Sequence, residues 1–263
     1  HRGRAFGMLR ASDWAGLVLG PAIGGLVASF RLDAVFAVGA AVCVGATALL
    51  TLLPRVDSRE RLGLEPPRRP LTILRSVLPF IVLGSAMGYT IGAYDTVWSL
   101  YLTRQGATPA LVGLSFTLFS VPLVLLGTAG GAWSDRIGHW RAATFTALMY
   151  GVFGVVYAFV TNLPALVLLS VAEGALVVAG NPALTALVSR SAPADEQARA
   201  QGVFRIGITG SQILGALLGG ALFGVAPALS FLSIAALAVV AVAASRLVQP
   251  AAPERSVAVS AQP

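Results

Sequence analysis

Apolar residues in this chain gather into long runs, and short polar or turn-rich breaks separate the runs. A helix that crosses a bilayer needs ~20 mostly apolar residues. Eight segments meet that requirement: 11–29, 34–53, 77–101, 111–133, 142–160, 163–188, 203–224 and 227–247. The breaks are brief, as at Thr161-Asn162 and Arg104-Gln105-Gly106. One is long. Residues 54–76, PRVDSRERLGLEPPRRPLTILRS, hold six Arg, three acids and four Pro, and read as a solvent-facing linker, with room for a short interfacial helix. The tail, 250–263, has the composition of a disordered segment. The pattern predicts an all-α, polytopic membrane bundle of eight transmembrane helices.

Composition agrees. Of 263 residues, 56% are hydrophobic and 11% charged, against about 25% charged in soluble domains; mean hydropathy is +0.81. The formal charge of +7 raises the question of nucleic acid, and the placement of the cations answers it. Alternate connections lie on opposite sides of a membrane. On that basis sixteen of the 18 basic residues, all of them Arg, fall on one side; Arg31 and Arg104 fall on the other. By the positive-inside rule the chain start, the linker and the tail are cytoplasmic. The charge is therefore topological, and no nucleic-acid partner is expected. The expected location is the cell membrane, as a multi-pass protein in the lipid bilayer.

The absence of Lys excludes a P-loop and a Schiff base. The two His and the single Cys43 show no metal-ligand spacing, and no nucleophile–base constellation is visible, so neither a cofactor, a metal nor an enzyme is expected.

Residues 4–25, RAFGMLRASDWAGLVLGPAIGG, align without gaps to 199–220, RAQGVFRIGITGSQILGALLGG, with eight of 22 positions identical, Arg4/Arg199 and Arg10/Arg205 among them. Transporters are often built from such repeats, with the substrate site at the repeat interface. The offset predicts roughly 120 further residues, about four spans, ahead of residue 1, and twelve spans in two halves of six. The expected divisions are then 1–53, the remainder of the N-terminal half; 54–76, a cytoplasmic linker; 77–249, the C-terminal half; and the tail.

This organisation resembles the major facilitator superfamily. Gly16-x-x-x-Gly20-Pro21-x-x-Gly24-Gly25 matches that family's GxxxGPxxGG motif, typical of the fifth helix of proton-coupled antiporters, especially drug exporters. GAWSDRIGHWR, residues 131–141, is similar to the cytoplasmic loop motif GxLADRxGRR through Gly131, Asp135, Arg136 and Gly138; His139 and Trp140 depart from its basic pair. The resemblance implies a bent helix that faces the other half near the outer side and helps to hold the inward-facing state. It also implies that Asp135 sits against the opening span near Arg10, with Arg10 and Arg205 as conformational charge contacts.

In lipid, helix association depends on close backbone approach, so small residues gather at interfaces. Gly16, Gly20 and Gly24 form an i+4 stripe, as do Gly84, Gly88 and Gly92, and Ser211, Gly215 and Gly219; Gly127 and Gly131 form a pair. Pro122 and Pro182 mark kinks.

Ionisable residues inside spans are functional candidates by default. Glu173 lies ~15 Å into its span, near the midplane, on the face shared by Ser170, Val177 and Gly180. It could load and release a proton, or it could be a neutral group bonded between helices. Asp95, expected in the outer third beside Tyr94 and Trp98, suits a cationic amphipathic ligand. Its rival roles are an outer gate and a pair with Arg104. Asn181 could hydrogen-bond across helices, and Tyr89, Trp98, Phe116, Phe119, Tyr150, Phe153 and Tyr157 could line an apolar cavity.

These observations predict a secondary transporter, with proton-coupled export of small organic or drug-like compounds by alternating access as the leading function. Protons and a small-molecule substrate are the expected partners. A major facilitator uptake carrier for a sugar or other metabolite and a non-transporting membrane sensor or scaffold are the alternatives.

Overall fold

The computed structural model describes the backbone of residues 2–52, 70–193 and 195–248, and the side chains of 16–52, 72–193 and 195–248. The described residues form helices only: α1 (Arg2–Phe30), α2 (Leu32–Thr51), α3 (Pro70–Arg104), α4 (Pro109–Ile137), α5 (His139–Phe159), α6 (Leu163–Val177), α7 (Gly180–Arg190), α8 (Gln197–Val225) and α9 (Pro227–Val248). All eight expected spans are present, one of them divided into α6 and α7. Seven spans are long and apolar enough to cross a membrane, and the described apolar part of α1, Gly16–Phe30, is shorter. The protein is a polytopic helical membrane bundle.

Several helices run past the apolar runs that announced them. α1 begins at Arg2 rather than residue 11, α8 at Gln197 rather than 203, and α3 at Pro70, so 70–76 are the first turns of a helix and not linker. Hydropathy marks the bilayer-crossing part of a helix; its polar turns beyond the core are equally helical and carry no apolar signal. Proline near a helix start is favourable, because its missing N–H would have no partner there. The expected linker segment 54–69 and the tail 250–263 lie outside the described residues.

Helix starts away from the arginine-rich end follow local rules. Thr108 caps α4, its hydroxyl accepting from the Leu111 N–H at 3.3 Å. Asn162 caps α6, its Oδ1 accepting from the Ala165 N–H at 3.0 Å. Between α4 and α5 a single residue reverses the chain: Gly138, at φ +94° and ψ 134°. That conformation is nearly closed to residues with a Cβ, and open space surrounds the position. Gly138→Ala should therefore cost about 1–3 kcal/mol through backbone strain alone; a lowered unfolding midpoint in detergent, with no loss of expression, is the expected reading.

Proline has different effects in different spans. Pro21, Pro79 and Pro122 lie inside continuous helices. Ahead of Pro182 the helix gives way at Val178–Ala179, four and three residues upstream. Pro182 cannot donate to the carbonyl of Val178, so the interruption falls before the proline and not on it.

Packing centres on α3, which lies along α8, α9 and α5, while α4 holds α1 on its outer flank and α6 on the other. α3 and α8 interlock through their small residues. A Cβ at Gly88 would come within 2.7 Å of the Ile208 carbonyl, and Gly92 faces the Gln212 backbone. In return Gly215 faces the Tyr89 backbone, and a Cβ at Gly219 would stand 3.0 Å from Ala93. The Gly127/Gly131 expectation shifts by one residue: Gly131 has nothing within 4 Å, and Gly130 instead packs on Val178 and Ala179. No residue of α2 is buried among the described residues.

Candidate functional site

The face of α1 that packs is offset from the expected stripe. Gly16, Gly20 and Gly24 have nothing within 4 Å of an added Cβ among the described residues. Pro21 and Gly25 make the contact. A Cβ on Gly25 would lie 2.7 Å from the Pro109 carbonyl and 2.8 Å from Gly113 Cα, and Gly113 in turn abuts the Pro21 carbonyl. Thr117 completes the seam by donating to the Val18 carbonyl at 2.9 Å. The i+4 spacing was right for a backbone-to-backbone seam, and its phase was off by one residue: the Pro21 carbonyl and Gly25 meet Gly113. Gly113 and Thr117 carried no sequence signal as its partners.

Behind this seam lies a cavity of about 750 Å³, walled by α1, α3, α4, α5, α6, α7 and α8. Glu173, Asp95, Tyr94, Trp98 and Asn181 all line it, together with Pro21 and Arg205. So do Phe116, Phe119 and Tyr150, whereas Tyr89, Phe153 and Tyr157 are buried in the packing behind the wall.

Glu173 is 2% exposed. Its Oε1 accepts from the Tyr94 hydroxyl at 3.1 Å and its Oε2 from the Tyr157 hydroxyl at 2.9 Å. A buried carboxyl needs such partners, because a polar group stripped of water without them is costly. Both tyrosines belong to an aromatic platform. Trp98 meets Tyr157 at 4.9 Å between ring centroids, Tyr101 meets Phe231 at 4.8 Å, and Tyr94 lies 5.9 Å from Trp98. The Trp98 indole N–H donates to Ser115 Oγ at 3.1 Å, which fixes the ring against α4. Tyr157 was foreseen only as one more aromatic; a contact between α5 and α6 side chains leaves no mark in the spacing of either helix.

Asp95 differs from Glu173 in almost every respect. It is exposed on the cavity wall and makes no hydrogen bond or ion pair among the described residues. The pair with Arg104 does not form, since that guanidinium lies over the Phe223 ring at 4.5 Å. Asp95 lies in the last third of α3, as expected. α3 extends to Arg104, which puts Asp95 ~14 Å from that end, comparable with the ~15 Å between Glu173 and the start of α6.

At the arginine-rich end, Asp135 and Arg136 lie exposed in the last turn of α4. Asp135 Oδ1 stands 3.6 Å from His139 Nε2, and the buried His139 bonds Ser134 Oγ through Nδ1 at 2.9 Å. His139 thus ties the turn together from inside, where a basic residue had been expected. The side chain of Arg10 lies outside the described residues. Arg205 is exposed toward the cavity. No group of metal-binding side chains occurs among the described residues.

Comparison with known proteins agrees with a helical membrane bundle. The sequence model of the Major Facilitator Superfamily matches residues 80–263. Multidrug resistance protein 2 of Bacillus subtilis (strain 168) is 27% identical over 240 residues, covering 85% of this chain and 58% of that protein. Tetracycline resistance protein, class C, of Escherichia coli is 29% identical over 222 residues, 76% of this chain and 53% of its own length. An uncharacterized MFS-type transporter of Methanocaldococcus jannaschii is 26% identical over 258 residues, 90% of this chain and 62% of its own. The chain thus spans about three fifths or less of the length of these relatives.

Proposed function

The chain belongs to the major facilitator superfamily, and from that premise we propose that the protein exports small organic, drug-like compounds across the cell membrane in exchange for protons, by alternating access. The observation that carries this reading is the cavity itself: a space of about 750 Å³ between α1 and the α3–α8 bundle, with one buried, tyrosine-bonded carboxyl and one open carboxylate on its walls. The names of the multidrug and tetracycline resistance relatives support export. The arginine-rich end is cytoplasmic in this reading, on the asymmetry of the loops.

Each residue then has a part. Asp95, with Tyr94 and Trp98 beside it, receives the cationic end of an amphipathic substrate; an aromatic face next to a carboxylate attracts such a group. Glu173 takes up and releases the proton, being the most deeply buried carboxyl among the described residues. Asn181 offers an amide to polar parts of the substrate from the α7 wall. The Pro21/Gly25–Gly113 seam closes the outer side, and unlocking it lets the halves rock. The loop of Gly131, Asp135, Arg136 and Gly138, with Arg10 and Arg205, closes the opposite side.

The test is Glu173→Gln, which keeps the shape and the donor-bearing character of a protonated carboxyl but removes the titratable group. Efflux of the fluorescent cation ethidium from cells producing the protein should fall by more than about tenfold, with the folded amount in the membrane unchanged. Efflux at the unaltered rate would remove Glu173 from the proton path.

A further inference from the structure

We infer that Tyr157 is a positioning residue for Glu173: the fixed arm of a two-armed clamp that sets how this carboxyl holds its proton, with Tyr94 as the arm exposed to the cavity. The inference rests on Glu173 being the proton-carrying group proposed above.

Hydrogen-bond bookkeeping leads to it. A carboxylate offers only acceptors, and here each oxygen receives one phenolic O–H, Oε1 from Tyr94 and Oε2 from Tyr157. A protonated carboxyl has a donor of its own; for that O–H to be held within the clamp, one arm turns its own O–H away and accepts instead. Proton uptake by Glu173 is therefore tied to a rearrangement of a tyrosine hydroxyl.

The two arms are unequally free to rearrange. Tyr157 is fully buried and takes no part in the cavity wall. Its ring is enclosed by Trp98, Phe153 and Phe231, with centroids 4.9, 5.9 and 5.9 Å away. Its backbone is held as well: the Tyr101 hydroxyl lies 3.0 Å from the Tyr157 carbonyl and 2.6 Å from that of Val160, pinning the end of α5. Tyr94 is half-buried, stands on the cavity wall and directly precedes Asp95. Tyr157 thus fixes Oε2, and rearrangement falls to the Tyr94 side, where the substrate would sit.

Other titratable groups around Glu173 are few among the described residues. α3 contributes Asp95 besides Tyr94, α5 contributes Tyr150 besides Tyr157, and α8 contributes Arg205 across the cavity. The parts of α1, α4, α7 and α9 that face the site carry only uncharged side chains.

Infrared difference spectroscopy on the purified protein in lipid reads the carboxyl directly. The protonated C=O band that titrates with pH and vanishes in Glu173→Gln belongs to Glu173. In Tyr157→Phe, which deletes only the hydroxyl, that band should move in frequency and its titration midpoint should shift by about one pH unit, as expected for a lost charge-assisted hydrogen bond. Tyr101→Phe, which loosens the seat of Tyr157 without touching Glu173, should shift both in the same sense by less, and serves if Tyr157→Phe does not fold. Band and midpoint unchanged in these variants would overturn the clamp while leaving Glu173 as the proton site. A wild-type spectrum with no titrating band that Glu173→Gln removes would overturn the proton-site reading and the clamp with it.

Discussion

Replacing Gly25 with leucine is expected to suppress the proposed export by at least about tenfold and to leave the membrane leaky to protons. A Cβ at this position would stand 2.7 Å from the Pro109 carbonyl and 2.8 Å from Gly113 Cα. Both are backbone atoms, which no rotamer change can move, so α1 and α4 must part to admit even a methyl group. A tenfold change in a conformational equilibrium needs only ~1.4 kcal/mol, and overpacking a close contact costs about 1–3 kcal/mol. The same helices approach from the other side at Gly113, so Gly113→Leu should give the same phenotype; agreement between the two would identify the seam, not either residue, as the cause. Liposomes loaded with a pH-sensitive dye report the leak without any substrate. Tight liposomes and wild-type efflux in both variants would show that the α1–α4 contact plays no part in closing the outer side.

The second large effect is one of stability. Phe231→Ala should lower the unfolding temperature in detergent by about 5–10 °C, at roughly 2–4 °C per kcal/mol for a chain of this size. Phe231 is fully buried, and its ring backs Tyr94, Trp98, Tyr101 and Tyr157, at 6.3, 6.4, 4.8 and 5.9 Å between centroids. Phe→Ala in a soluble core costs ~3–5 kcal/mol, partly transfer energy and partly the cavity left behind. In a bilayer the alternative surroundings are also apolar, so the transfer part shrinks and the cavity part, about 2–3 kcal/mol, remains. Efflux should fall further than stability alone explains, because the ring supports both tyrosines that hold Glu173. Phe231→Leu, which restores most of the volume, should recover the melting point and most of the activity.

The sequence revealed the spans and their count because a bilayer imposes a length and a composition on anything that crosses it. The face of a span was also partly legible: Glu173 is buried on the face that Ser170 and Val177 share with it. What one helix says about another was much less so. The face on which α1 packs was read from Gly16, Gly20 and Gly24, yet Pro21 and Gly25 make the contact, because the choice of face depended on Gly113 in a helix almost ninety residues on. The acid at Glu173 was found and its two donors, Tyr94 and Tyr157, were not read as its partners, because an aromatic residue in a membrane span looks the same whether it faces lipid, a neighbour or a carboxylate.

The interruption at Val178–Ala179 separates two mechanical allegiances along one wall of the cavity. Above it, α6 is anchored through Glu173 to Tyr94 and Tyr157, and Gly174 lies against the Phe119 backbone. Below it, α7 is stitched to α8, where the Gln201 amide donates to the Thr185 carbonyl at 2.9 Å and to Ser189 Oγ at 3.0 Å. With the intrahelical bond across Pro182 missing, a tilt of α8 would carry the lower half-helix along like a door on its frame and leave the carboxyl above docked between its two phenols.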